Sequence, residues 1–136
     1  MSRIPLLAEL DAREAGEIMP LLHAHNLPPN VEVMGAGSEG AAMYFIASGR
    51  VSMRAGEETK TFGAGDFFGT VAMLENDLNR GRFVTLSKCR LLKLHREDFQ
   101  RLESANQQLA SSLRKEAALR RAARNGGDDI ASPAAV

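Results

Sequence analysis

The stretch Phe67-Phe68-Gly69-Thr70-Val71-Ala72-Met73-Leu74, followed by Arg80, decides how this chain is read. A strand-like run from Asp66 to Phe68 gives way at a glycine to the helix-compatible Val71-Ala72-Met73-Leu74. At such a junction the first N–H groups of the helix have no partner within it and the terminus carries partial positive charge, so it favours an anion. Arg80, a turn and a loop further on, supplies a counter-charge and a planar fork suited to phosphate oxygens. Phe68, Gly69, Thr70, Val71 and Ala72 are therefore one side of a candidate phosphate cradle, and Arg80 is the other.

Around this stretch, from Leu27 to Leu94, short β-branched and apolar runs alternate with glycine, proline and asparagine, the texture of a small barrel or sandwich. Strands are predicted over Val31 to Met34, Met43 to Ala47, Arg50 to Arg54, Thr59 to Phe62, Arg82 to Leu86 and Cys89 to Leu94. Upstream, Asp11-Ala12-Arg13-Glu14 has the cap-and-carboxylate arrangement of a helix start, and Ala15, Ile18, Met19 and Leu22 follow at helical spacing. Pro20 should kink or split that helix, because it lacks a backbone donor and clashes with the preceding turn. His23 and His25 fall near its end. Downstream, helices are predicted over Arg96 to Leu102 and from about Asn106 to Arg124, with Leu109, Leu113 and Ala117 as an apolar stripe that something must cover. Residues 125–136 read as a disordered tail.

The length, 136 residues, suits one domain, and 17 basic residues balance 17 acidic ones, so net charge exerts no pull toward nucleic acid or anionic lipid. A single cysteine, Cys89, excludes an internal disulfide and reads as a buried core thiol in a reducing compartment. No apolar run approaches the ~20 residues that cross a bilayer, and Met1-Ser2-Arg3-Ile4-Pro5 opens no signal peptide, so a cytoplasmic location is expected. No carboxylate or cysteine cluster completes a metal site with the histidines, and no nucleophile or acid/base pair emerges, so neither a metal nor catalysis is expected. Arg114, Lys115, Arg120, Arg121 and Arg124 make the last helix basic, and with no aromatic residue among them they read as a solvated helix end whose cations complement the dipole.

Taken in order, Leu27-Pro28-Pro29, Gly37 and Gly40 framing a turn, Met43 to Val51, Gly65-Asp66-Phe67-Phe68-Gly69, Cys89 to Leu94 and Asp98-Phe99 resemble the cyclic nucleotide-binding domain family, from Pro5 to about Arg121. The resemblance implies an α+β fold: an antiparallel β-roll of the jelly-roll (double-stranded β-helix) type, residues 27–95, between an N-terminal helical segment, 1–26, and C-terminal helices, 96–124. It further implies a phosphate-binding cassette over 69–81, with cAMP or cGMP as ligand and no other cofactor, and a last helix that closes as a lid. Leu113 to Arg121 looks most like the lid of bacterial cyclic-nucleotide-gated potassium channels, in which the arginine matched to Arg114 reaches the purine. The wording of Met43 to Gly49 is equally common in bacterial sodium/proton antiporters.

This chain departs from the family pattern at two places. The glutamate that follows the cassette glycine and holds the ribose hydroxyl is here Thr70, which replaces one hydrogen bond but no charge-assisted pair. Such bonds run about 1.5 to 3 kcal/mol, so affinity should fall roughly tenfold to a hundredfold. The expected arginine and hydroxyl residue are here within Asn79-Arg80-Gly81-Arg82. Counted from Gly69, Arg80 takes the phosphate position and Gly81 replaces the hydroxyl; counted back from Cys89, Asn79 takes the arginine position. Arg80 is preferred, because a loop absorbs a one-residue shift more readily than a buried phosphate loses its cation, and Arg82 is the weaker candidate because it begins a strand.

The reading that follows is the cytosolic regulatory domain of a bacterial ion channel or cation antiporter, at the cytosolic face of the inner membrane. Its partners would be a cyclic nucleotide, a transport domain linked or associated with it, and a further copy in a homo-oligomer; no nucleic-acid partner is expected. The alternatives are a free-standing sensor or adaptor, or a catabolite-activator-type transcription regulator lacking its DNA-binding domain.

Overall fold

The computed structural model describes residues 12–126. Glycine and proline punctuate the middle of the chain, which folds into eight strands. These are β1 (His23–Leu27), β2 (Glu32–Met34), β3 (Ala42–Ser48), β4 (Val51–Ala55), β5 (Glu58–Phe62), β6 (Phe67–Phe68), β7 (Arg82–Thr85) and β8 (Cys89–His95). They form two four-stranded sheets, β1-β8-β3-β6 and β2-β7-β4-β5, with every pairing antiparallel. Helices α1 (Ala12–Ile18), α3 (Arg96–Ala105) and α4 (Gln107–Gly126) flank this β-roll, and α2 (Thr70–Glu75) interrupts it between β6 and β7.

Two apolar cores share the first sheet. Inside the roll, Tyr44, Ile46, Val51, Met53, Phe62, Phe68, Phe83, Cys89 and Leu91 pack together. On the other face Met43, Phe45, Phe67, Leu92 and Leu94 meet Ile18, Leu22, Met73 and the helical residues Phe99, Leu102, Leu109, Ala110 and Leu113. Since successive side chains of a strand point to opposite faces, β3 and β8 feed both cores at once. This is why Met43-Tyr44-Phe45-Ile46 reads as an unbroken apolar run and not as an alternating one. The stripe Leu109, Leu113 and Ala117 is buried, covered by α2 and α3.

Pro20 does split the first helix: α1 ends at Ile18 and a single 3-10 turn, Met19–Leu21, follows. The segment after it corrects the sequence reading. His23–Leu27, expected near the end of that helix, is an edge strand paired with β8 from His23↔Lys93 to Leu27↔Cys89. Its side chains from His23 to Asn26 are exposed, so the strand is held by its backbone ladder and leaves no apolar period to read. At the other end Asn106 caps α4 by accepting the Leu109 N–H at 3.0 Å. Asn125 and Gly126, expected in the tail, continue α4, and the rest of that segment lies outside the described residues.

Candidate functional site

β6 pairs with β3 (Tyr44↔Phe68, Phe45↔Phe67) and then stops at Gly69, whose φ of 85° is the left-handed conformation that glycine adopts without strain. The turn swings the chain straight into α2. Its first internal bond runs from the Met73 N–H to the Gly69 carbonyl at 3.1 Å, so the amides of Thr70, Val71 and Ala72 have no acceptor within the helix. The returning limb is laced to the β2–β3 connection. Gly40 N–H donates to the Asp77 carbonyl at 2.9 Å, Asn79 N–H to the Ser38 carbonyl at 2.8 Å and Gly37 N–H to the Asn79 carbonyl at 2.8 Å.

The predicted site residues divide into two groups. Phe68 is fully buried inside the roll, stacked on Phe83 at 4.5 Å and on Tyr44 at 5.3 Å between ring centroids. Gly69, Thr70, Val71 and Ala72 are buried as well, and the Thr70 hydroxyl lies 3.7 Å from the Met43 sulfur, which accepts its hydrogen bond. Gly81 is buried, and a Cβ there would lie 2.5 Å from the Met53 sulfur, which closes the space a hydroxyl-bearing side chain would use. The arginines go elsewhere. Arg80 is exposed and joins no ion pair or hydrogen bond among the described residues. Arg82 is exposed and bound to Glu32, Nε to Oε1 at 2.6 Å. Arg114 pairs with Glu103 at 3.2 Å and lies over the Phe99 ring at 4.9 Å, on the α3 side of α4. Asn79, the competing residue for the phosphate position, is buried and donates from its side-chain amide to Ser38 Oγ at 3.0 Å.

Arg120, which the sequence reading put at a solvated helix end, is instead sunk against β6, just ahead of the cassette. It is only 7% exposed. Its Nη1 donates to the Phe67 carbonyl at 3.0 Å and its guanidinium stacks over the Phe67 ring at 4.2 Å. Glu116 Oε2 is 3.5 Å from Nε, yet Nε has no hydrogen-bond acceptor in line. Burial pushes the Arg120 pKa below the usual arginine value, against the opposing charges of Glu116 and Asp66. Its neighbour Arg121 reaches the end of α2, with Nε 3.4 Å from Glu75 Oε2. A signal was available: three residues beyond Ala117, the buried stripe of α4 returns to position 120.

No helix among the described residues is long and apolar enough to cross a membrane. The profile of the family described as "Cyclic nucleotide-binding domain" matches residues 24–106. A cyclic nucleotide-gated potassium channel of Rhizobium etli is 31% identical over 121 residues, covering 89% of this chain and 34% of the channel. The regulatory subunit of a cAMP-dependent protein kinase of Yarrowia lipolytica is 33% identical over 106 residues, covering 75% of this chain and 28% of the subunit. This chain therefore spans about a third of the length of such relatives. Among solved structures, the Thermus thermophilus catabolite activator protein superposes with a TM-score of 0.73 at 26% identity, over 90% of this chain and 59% of that one. With a two-sheet roll, a helical cassette between β6 and β7, and a profile match over residues 24–106, this chain belongs to the cyclic nucleotide-binding domain family.

Proposed function

We propose that this domain is a regulatory module that binds cAMP or cGMP weakly and acts on the transport domain of a bacterial ion channel or cation antiporter, from the cytosolic face of the inner membrane. The observation that carries the reading is how the polar groups of the cassette are already used. The Thr70 hydroxyl is turned onto Met43, Arg82 is held by Glu32 and Asn79 by Ser38, so Arg80 is the one cassette cation left to meet a phosphate. A single exposed cation and three free amides support electrostatic capture of a cyclic phosphate without the ribose contact that a carboxylate at position 70 would add. The share of the potassium channel that this chain covers, 34%, supports a larger parent protein with the domain as its regulatory part. Ligand reaches the partner only through unequal affinity for two placements of α4.

Titration calorimetry with cAMP and cGMP tests the ligand half. The expected dissociation constant is on the order of 100 μM, equivalent to about −5.5 kcal/mol. Arg80→Ala should weaken it at least tenfold while leaving the unfolding midpoint in place, because the side chain is exposed. Submicromolar binding would refute the weakened site, and no heat at millimolar ligand would remove the sensing role. Membrane-spanning segments upstream in the parent reading frame are the expected finding for the transport half.

A further inference from the structure

The first residue of α3, Arg96, makes contacts that the cassette reading above does not use. Its Nε donates to the Met73 carbonyl at 3.2 Å, its Nη2 to the Gly40 carbonyl, and its own backbone N–H to the Ala41 carbonyl at 2.8 Å. Three segments distant in sequence thus converge on one residue: the last turn of α2, the β2–β3 connection and the start of α3. The Met73 carbonyl needs such a donor. The N–H groups of Asn76 and Asp77 both turn to the Ala72 carbonyl, so the helix leaves the Met73 oxygen without a donor of its own.

We propose that Arg96 is the positioning residue of the cassette, fixing the direction of α2 through the Met73 and Gly40 carbonyls and tying it to the helical pair α3–α4. A planar guanidinium holds two acceptors at a set angle, and a cation beside the C-terminal carbonyls of a helix also complements its dipole. The residues on either side leave α2 little room to drift, since the Gly40 backbone lies directly against Ala72. From Arg96 the chain runs through Phe99 and Leu102 into the core that also holds Leu109 and Leu113 of α4. Beside the direct packing of α2 on α4, a displacement of α2 therefore has a second route to α4, through a polar joint at one end of α3. The effect on nucleotide affinity rests on the proposed function; the effect on the placement of α2 does not.

Hydrogen exchange on the full chain, with Arg96→Met and Arg96→Lys, tests both. In Arg96→Met the amides of residues 70–79 should exchange at least tenfold faster while those of β4 and β5 keep their rates. Arg96→Lys, which keeps the charge but loses the fork, should show a twofold to fivefold acceleration. The cAMP dissociation constant should rise threefold to tenfold in Arg96→Met and be largely restored in Arg96→Lys. A merely structural arginine would instead speed exchange along α3 and β4–β5 together. Cassette exchange unchanged in Arg96→Met, or accelerated uniformly over the domain, would overturn the proposal. If the unsubstituted chain gives no heat with cAMP, the ligand reading fails, and the exchange pattern still decides the role of Arg96.

Discussion

Arg120→Ala is expected to lower the stability of this domain by about 3 kcal/mol, the range found when one member of a buried pair is removed. For a chain of this size that is a fall of roughly 10 °C in the unfolding midpoint. Alanine leaves the Phe67 carbonyl without its donor, the Phe67 ring without its stacked cation and Glu116, itself only 20% exposed in its side chain, without its partner. Lysine at 120 keeps a charge but loses the flat stacking face, so about half of the loss should remain. The double variant Arg120→Met with Glu116→Gln should recover part of it, because an apolar side chain over Phe67 needs no counter-charge. Urea unfolding of the three variants measures this, and a loss under about 1 kcal/mol in Arg120→Ala would show that the contact is idle.

Gly40→Ala should cost about 3 kcal/mol for a different reason, close contact between two backbones. A Cβ at position 40 would stand 2.5 Å from the Ala72 carbonyl oxygen and 2.6 Å from the Ala72 Cβ. Neither is the free end of a flexible side chain, so either α2 or the β2–β3 connection must shift, at the upper end of what overpacking costs. The shift would also break the Gly40 N–H bond to Asp77 and misdirect the carbonyl that Arg96 holds. Gly16→Ala provides the contrast. It lies within α1 with nothing inside 4 Å of its Cβ, so alanine there should stabilise by roughly 0.5–1 kcal/mol. Equal effects at the two positions, measured by thermal unfolding, would contradict this account.

The roll and the strand-to-helix junction at Gly69 were legible because their signals are local. Glycines mark the turns between strands, and Phe67 to Leu74 announces a strand-to-helix junction from its own residues. β1 was not legible, since a strand with exposed side chains is defined by the partner it bonds to and not by its pattern. The destinations of the arginines were hidden for a related reason. Arg82 is held by Glu32, 50 residues away, and no composition or spacing near position 82 names that partner. Arg114 and Arg120 lie on one helix and have similar neighbours in sequence, yet one faces α3 and the other is sunk against Phe67. Helical spacing says which residues share a face; it does not say what stands opposite.

The two-sided burial of β3 and β8 makes the roll inseparable from its helices as a piece of protein. A fragment cut at residue 95 would keep its inner aromatic packing but lay bare Met43, Phe45, Phe67, Leu92 and Leu94 as one greasy wall. Contiguous apolar patches of that kind drive self-association. Shortened versions for solution work should therefore retain α3 and α4 even where only the strands are of interest.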